Sequence, residues 1–187
     1  MKITKIFILS IFFIASGHFA AAQSSPSPDP PSMTVQGCWL VEPIVKICES
    51  SHVKESRVIR ALEYWERLGY KFKLIIFNDN SPSCLGEPGL GEIIIRTPDE
   101  SFNPDYMAVT RRTVTTEERF ILYSVIHVKD SEVNTERTLE HEIGHAIGWN
   151  HASARYHIMY EEWRYGGWTS TNVSHRAYSK KCEGIIP

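Results

Sequence analysis

The sequence predicts an α+β domain, in which a sheet of about five strands packs against two main helices. Two observations lead to this prediction. Five short runs rich in apolar and β-branched residues have the length of strands, and two other segments place apolar residues at helical spacing. Their order, a strand, a helix, several strands and a second helix, is typical of an α+β domain with one mostly buried sheet.

The strand candidates are short and are separated by turn-forming residues. They cover residues 38–48, 70–77, 92–96, 106–114 and 120–128. Pro43 marks an edge or a break in the first candidate, because proline cannot donate a hydrogen bond to a neighbouring strand. Residues 92–96, EIIIR, are apolar enough to form a central strand, and residues 78–91 are predicted to be a surface loop.

Two segments carry the helical pattern. In the first, the apolar positions on one face are Val58, Ala61, Leu62, Trp65 and Leu68. Ser51 is a candidate N-cap and Gly69 a candidate stop for this helix. In the second, Asn134 or Thr135 is the candidate N-cap, and the apolar positions are Leu139, Ile143, Ala146 and Ile147.

The first residues have the pattern of an export signal. Residues 1–22 begin with Lys2 and Lys5, continue with an apolar run at residues 6–14, and end in small residues up to Ala22. This is typical of a signal peptide cleaved after Ala22, and the apolar run is too short to span a bilayer. We therefore expect a secreted or periplasmic protein without a membrane anchor.

The remaining chain is predicted to be a leader and one domain. Residues 23–32, QSSPSPDPPS, are rich in proline and serine and are expected to be flexible, and residues 33–187 have the length of a single domain. Without the two signal-peptide lysines, 18 lysines and arginines face 22 acids, a net charge of about −4. The charges are mixed along the chain, so nothing favours a nucleic-acid partner, and we predict a monomer.

Four cysteines follow the signal: Cys38, Cys48, Cys84 and Cys182. An even number in an exported chain predicts two disulfides, for which three pairings exist. The cysteines contain no closely spaced pair, which disfavours a cysteine-based zinc site.

The sequence HEIGHAIGWNH, residues 141–151, has the spacing of a metal site. His141 and His145 are four residues apart and share one helix face, so both can bind the same ion. Gly148 can adopt a left-handed conformation, end the helix and turn the chain so that His151 returns to the ion. Three histidines predict one tetrahedral Zn²⁺ whose fourth position is open to water.

Glu142 follows the first candidate ligand and lies about 100° around the helix from it. A carboxylate in this place can reach water at the ion without being a ligand. It is therefore predicted to be the general base that removes a proton from that water during hydrolysis.

The eleven residues resemble the extended H-E-x-x-H-x-x-G-x-x-H motif of metzincin metallopeptidases. Met159, eight residues after His151 in HIMY, is similar to the Met-turn methionine that packs beneath the metal in that family. Among metzincins, the chain looks most like matrixins. This resemblance rests on the eight-residue gap, on the helix and strand in VIRALEYWERLGYKF, and on the strand in GEIIIR. The resemblance implies a secreted zinc endopeptidase with a zincin fold, a twisted mixed sheet and an active-site helix followed by the Met-turn.

The sequence departs from matrixins in two places. Glu161 follows Tyr160, where matrixins usually have proline, and the glycine- and histidine-rich loop that holds a structural zinc and calcium is missing, with His127 alone between Arg96 and Asp130. One catalytic zinc is therefore expected and no second zinc, whereas calcium binding is left open.

The resemblance also implies where a substrate binds. A peptide or protein substrate would lie antiparallel to an edge strand at about residues 106–114. Tyr160 and Trp163 would shape the pocket for the residue after the cleaved bond. Asp29, in the flexible leader, is a candidate zinc ligand that keeps the enzyme latent, and His157 is predicted to be structural.

Two other functions are compatible with the motif. The chain could be a zinc-containing module that binds peptides or proteins without cleaving them, although such a module has no use for Glu142. It could also be an amidase that acts on cell-wall or small peptides. The sequence separates the endopeptidase from the amidase poorly.

Overall fold

A computed structural model describes residues 33–117 and 119–183, with the backbone alone at Trp163. The predicted signal peptide, the leader and the candidate latency ligand Asp29 lie outside the described residues.

The core of the fold is one five-stranded mixed sheet. Its strands are β1 (Ile44–Cys48), β2 (Leu74–Asp79), β3 (Glu92–Arg96), β4 (Ala108–Val114) and β5 (Ile121–Val128). They are arranged in the order β2-β1-β3-β5-β4. The first four strands in this order are parallel, and β4 pairs antiparallel with β5. The predicted α+β class and the mixed sheet are therefore confirmed.

The strand positions follow from burial. β3 is central and its three isoleucines, Ile93 to Ile95, are fully buried, as expected for EIIIR. β4 lies at the end of this order and is only partly buried along its length, so one of its edges has no partner strand among the described residues. The first strand is shorter than predicted, because it starts directly after Pro43, which acts as a break.

Two main helices, α1 (Glu55–Glu66) and α3 (Thr138–Ala146), pack against each other and the sheet. The indole of Trp65 in α1 is fully buried and donates a 2.8 Å hydrogen bond to the carbonyl of Glu140 in α3. The guanidinium of Arg57 binds both carboxylate oxygens of Glu140, at 3.0 and 2.6 Å. These bonds fix the first turn of α3 against α1.

Both predicted N-caps were wrong. Ser51 lies in a separate 3₁₀ turn, Glu49–Ser51, and α1 starts later, with Lys54 at its N-cap. The N-cap of α3 is Arg137, in a left-handed conformation (φ 68°), rather than Asn134 or Thr135. A 3₁₀ turn at Asp130–Glu132 and a following turn take up the residues between β5 and α3.

Two further helices are present that the sequence pattern did not predict. α2 (Pro82–Leu85) is a single turn inside the predicted loop, and α4 (His175–Cys182) lies near the C-terminus. In α4 only Tyr178 and Cys182 are buried, so its apolar stripe is too sparse to stand out. Ser174 caps this helix by accepting a hydrogen bond from the N–H of Ala177.

The two predicted disulfides are confirmed, and the structure selects one of the three pairings. Cys38 pairs with Cys182, which links the start of the domain to α4, and Cys48 pairs with Cys84. Two disulfides indicate an oxidising environment. Within the described ranges, no helix has the length and apolar character needed to cross a bilayer.

Candidate metal centre

Three histidines converge at the end of α3. His141 and His145 lie one turn apart on the helix, and His151 follows the bend after it. One nitrogen from each imidazole lies within 4.8 Å of the others, and Nε2 of His145 is 3.0 Å from Nε2 of His151. Four ligands at about 2.0 Å around a tetrahedral ion are about 3.3 Å apart, so this cluster could hold one metal ion.

Backbone carbonyls orient two of the three rings. Nδ1 of His141 donates to the carbonyl of Ile158 at 2.7 Å, and Nδ1 of His145 donates to the carbonyl of Trp149 at 2.8 Å. A carbonyl can only accept, so Nδ1 carries the proton in both rings and Nε2 keeps its lone pair. Such contacts are the usual second shell of metal-binding histidines, because they fix the tautomer and the ring orientation.

Burial keeps the histidines neutral, which is the form that binds metals. It lowers the pKa of His141, and it lowers that of His145 well below its usual value, with the neighbouring His141 adding to the effect. The pKa of the more exposed His151 is also lowered, mainly by burial.

The bend that returns His151 is a Schellman motif at the end of α3. Gly148 has φ 119°, and its N–H bonds the carbonyl of His145 at 2.9 Å, while the N–H of Trp149 bonds the carbonyl of Gly144 at 3.0 Å. A side chain at Gly148 would also place its Cβ 2.4 Å from the carbonyl oxygen of Gly37. The glycine in the gap between the histidines is thus needed for both conformation and space.

The floor beneath the cluster is formed by Met159. This residue is fully buried, and a Cβ added to Gly144 would lie 2.3 Å from its sulfur and 2.6 Å from the indole of Trp65. The absence of a side chain at Gly144 therefore lets methionine and tryptophan pack directly under the helix turn that carries His141 and His145.

The loop between His151 and Met159 is held in place at both ends. The N–H of Ala152 bonds the carbonyl of Met159 at 2.7 Å. His157 is buried, its Nδ1 accepts from the N–H of Met159 at 3.0 Å, and its Nε2 donates to the carbonyl of Thr171 at 2.9 Å. His157 thus has the structural contacts of a residue that shapes this turn.

Glu142 is buried on the side of α3 that faces β4. The hydroxyl of Thr110 lies 2.6 Å from its Oε2 and 3.0 Å from its carbonyl oxygen, and the shorter contact is the hydrogen bond to the carboxylate. Burial raises the pKa of Glu142 to about 7, although the bond from Thr110 and the charge of Arg112 act in the opposite direction. A cation bound by the histidines would lower this pKa, because it favours the carboxylate.

Arg112 joins β4 to the end of α3. Its Nη1 donates to the carbonyls of His145 and Trp149, at 2.6 and 3.0 Å. Its Nη2 bonds the side chains of Gln36 and Asn150. The carbonyl of Trp149 therefore receives both Arg112 and Nδ1 of His145, so Arg112 is indirectly connected to the second histidine of the cluster.

A cavity of about 240 Å³ opens beside the cluster, lined by both His141 and Glu142. Tyr160, predicted to be a pocket residue, lies in its wall together with Ile158 and Glu161. The side chain of Trp163, the other predicted pocket residue, lies outside the described atoms. The remaining wall comes from residues 105–108 at the start of β4, from the start of α3, and from Gly166 and Gly167.

His127, the histidine that stands alone in the sequence, makes its contacts elsewhere in the fold. It is buried in β5, with Nδ1 3.1 Å from the carbonyl of Thr97 and Nε2 3.5 Å from the carboxylate of Asp99. Burial lowers its pKa, which favours the neutral ring.

Four residues at the site were not predicted from the sequence: Thr110, Arg112, Arg137 and Thr138. Thr110 and Arg112 lie in β4, and the alternation of residues along a strand does not indicate which helix packs beside it. Only the sheet order, which places β4 at the edge next to α3, brings them to the histidines.

No model of a known protein family matches the sequence, and no curated protein matches it at a significant level.

Proposed function

We propose that this protein is an exported, zinc-dependent endopeptidase of the metzincin type, similar to matrixins. The observation that carries the proposal is the convergence of His141, His145 and His151 beside the buried carboxylate of Glu142. The methionine floor, the oriented imidazoles and the edge strand next to the cluster support it.

The three histidines would hold the ion through their Nε2 atoms, and zinc bound there supplies a Lewis acid that acidifies water and polarises a carbonyl. Zinc fits because the three donors are imidazole nitrogens that lie within 4.8 Å of one another. No further carboxylate or cysteine belongs to the cluster within the described residues.

Glu142 would act as the general base. Thr110 holds Oε2, which leaves Oε1 to take a proton from the water molecule that attacks the peptide carbonyl. The protonated Glu142 would then donate this proton to the amine of the leaving peptide. Burial raises the pKa of Glu142, whereas Thr110 and Arg112, its two neighbours on β4, lower it.

The substrate would extend along β4, because this edge strand lies directly beside Glu142 and has no neighbour on its outer side among the described residues. Main-chain pairing to an edge strand accepts many sequences, which is suited to a peptidase. The cavity walled by Tyr160 would take the side chain that follows the cleaved bond.

The test is zinc-dependent cleavage of an unfolded protein. The purified, zinc-loaded protein should release peptides, and this activity should stop with a chelator and return with zinc. Glu142→Ala should bind zinc with normal stoichiometry. Its kcat should fall at least about a thousandfold, since general-base catalysis and water activation are both lost. Glu66→Ala, an exposed glutamate on α1, is the matched control and should retain activity.

Cleavage by Glu142→Ala at the wild-type rate would contradict the mechanism. Zinc-dependent binding of peptides without any turnover would favour a binding module instead. Release of amines from small amides alone, with proteins left intact, would favour an amidase.

A further inference from the structure

Residues 33–37 lie along the bend that follows α3, and we call this segment the N-terminal strap. Val35 in the strap pairs antiparallel with Trp149 in the bend. Both side chains are buried, so this contact is part of the core. The strap thus covers the stretch of chain that joins the second and third histidines of the cluster.

Two backbone hydrogen bonds join the strap to the bend on either side of this pair. The N–H of Gln36 donates to the carbonyl of Gly148 at 2.9 Å, and the N–H of Asn150 donates to the carbonyl of Thr34 at 3.1 Å. The side chain of Asn150 adds a third bond, from Nδ2 to the hydroxyl of Thr34 at 2.9 Å. Asn150 directly precedes His151, so these bonds fix the backbone from which His151 extends.

The strap is also anchored to the rest of the fold on its other side. Arg119 donates from Nη2 to the carbonyl of Val35 at 2.9 Å and from Nε to the carbonyl of Gln36 at 3.2 Å. The carbonyl of Arg119 accepts the N–H of Cys38 at 3.0 Å, and Cys38 is linked to Cys182 by a disulfide. The strap therefore stays attached to the fold when one of its bonds to the bend is removed.

The third histidine depends on this contact more than the other two. Carbonyls hold Nδ1 of His141 and Nδ1 of His145, which orients both rings. In the described part of the chain, no carbonyl or carboxylate bonds Nδ1 of His151, and His151 is the exposed member of the cluster. Its position is therefore set mainly by its backbone, and the strap holds the residue before it.

We infer that the N-terminal strap is part of the metal centre, and that Thr34 and Gln36 position His151 as the third ligand. Docking of the strap and binding of zinc then favour each other, because both require the same conformation of the bend. With the strap detached, only His141 and His145 would remain oriented, and zinc would bind more weakly. This inference rests on the metal-binding part of the proposed function and does not depend on peptide cleavage.

The first experiment removes one bond between the strap and the bend. Gln36→Pro deletes the N–H that bonds the carbonyl of Gly148, whereas Gln36→Ala keeps this N–H and deletes the side chain. In competition with a fluorescent chelator, zinc affinity should fall about tenfold in Gln36→Pro, as expected for one lost hydrogen bond, and should stay within about threefold of the wild type in Gln36→Ala. Wild-type affinity in Gln36→Pro would overturn the inference.

Thr34 allows a milder change at the same contact. Thr34→Val removes the hydroxyl that accepts from Asn150, so zinc affinity should fall about threefold, and Thr34→Ser should restore it. Thr116→Val, in the exposed turn after β4, is the control and should bind zinc as the wild type does. Equal affinity in the valine and serine variants of Thr34 would contradict the role given to its hydroxyl.

A double-mutant cycle shows whether the strap acts through His151. In a protein that already carries His151→Ala, the addition of Gln36→Pro should leave zinc affinity unchanged, because the ligand that the strap positions is gone. In a protein that carries His141→Ala, the same addition should still cost about tenfold. A further tenfold loss in both backgrounds would show that the strap acts on the fold in general, and the inference would fail.

Amide hydrogen exchange measures the coupling between zinc and the strap. Zinc should slow exchange at the N–H groups of Gln36 and Asn150 at least about tenfold, and the N–H of Ile44 in β1 should slow less. In His151→Ala saturated with zinc, Gln36 and Asn150 should exchange as they do without zinc. Equal slowing at all three positions, or slowing that persists in His151→Ala, would contradict the coupling.

These measurements separate the inference from the proposed function. If the wild-type protein binds zinc and cleaves no peptide, the endopeptidase proposal fails, while a lower zinc affinity of Gln36→Pro still supports the role of the strap. If the wild-type protein cleaves peptides and all strap variants bind zinc equally well, only the inference about the strap fails. A wild-type protein that binds no zinc would overturn both.

Discussion

At the scale of single residues, the centre depends on side chains that fix protons and orientations around the three histidines. Carbonyls of Ile158 and Trp149 set the tautomers of His141 and His145, and Thr110 sets the position of the Glu142 carboxylate. A change in one of these partners should alter the chemistry without removing the metal.

Thr110→Val should lower kcat about tenfold, because the carboxylate of Glu142 loses a 2.6 Å hydrogen bond that holds it in place. Thr110→Ser retains a hydroxyl and should recover most of this loss. Zinc affinity and KM should change little in either variant. Steady-state kinetics with a peptide substrate tests this, and equal kcat in the valine and serine variants would refute the role of the hydroxyl.

His157 should make the fold less stable in acid. Burial lowers its pKa below the unfolded value of about 6.5, so the folded state binds fewer protons than the unfolded state. The stability due to the neutral ring is therefore complete above about pH 6.5 and is lost as the pH falls below that value. His127 contributes in the same direction.

His157→Asn keeps an acceptor for the N–H of Met159 but cannot take up a proton, so its free energy of unfolding should fall less between pH 7.5 and pH 5 than that of the wild type. Urea denaturation at the two pH values measures this. Thr116→Asn, in the exposed turn after β4, is the control and should keep the wild-type slope. The same slope in His157→Asn would contradict the prediction.

At the scale of elements, the edge strand β4 and the helix α3 act as one unit. Thr110 and Arg112 lie two residues apart on β4 and reach opposite parts of the helix, one contacting Glu142 and the other the last turn with its following bend. The N-terminal segment adds to this, since the N–H of Gln36 bonds the carbonyl of Gly148 at 2.9 Å.

Arg112→Met should weaken zinc binding by about tenfold to a hundredfold, the usual range for loss of a second-shell partner. The reason is that the carbonyl of Trp149, which orients His145, loses its other donor. Competition with a fluorescent chelator measures the affinity. Arg111→Met is the matched control, because Arg111 is adjacent on β4 but exposed and pairs with Asp99. Equal zinc affinity in both variants would contradict the prediction.

The elements also show what sequence can and cannot predict. EIIIR was predicted to be a central strand because it is short and apolar. The histidine helix and its glycine stop were predicted from the apolar positions on one side and from the spacing of the histidines. The N-caps were predicted wrongly because both helices begin without a side-chain cap, at Lys54 and Arg137, so no capping residue marks their start in the sequence. α4 was missed because a disulfide and Tyr178 anchor it, rather than an apolar stripe. Contacts across elements, such as those of Thr110 and Arg112, have no local sequence pattern.

At the scale of the whole molecule, the two disulfides link different parts of the fold. Cys48–Cys84 ties β1 to the loop after β2, away from the histidines. Cys38–Cys182 ties the segment that contacts the bend at Gly148 to α4. The segment that follows Met33 thus contacts the bend beside the candidate centre.

Replacing Cys38 and Cys182 by serine should lower the free energy of unfolding by about 5 kcal/mol, and replacing Cys48 and Cys84 by about 4 kcal/mol, by loop closure over separations of 144 and 36 residues. Only the first pair should also weaken zinc binding, because it frees the segment beside Gly148. Urea denaturation and chelator competition measure the two effects. An equal loss of zinc affinity in both double variants would contradict this division.

The zinc-edge X-ray absorption spectrum of the purified protein tests the proposed metal centre most directly. We expect one zinc per chain, with three imidazole nitrogens and one oxygen at about 2.0 Å, and a loss of one imidazole in each of His141→Ala, His145→Ala and His151→Ala. A protein that binds no zinc, or whose zinc keeps three imidazoles in any of these variants, would contradict it.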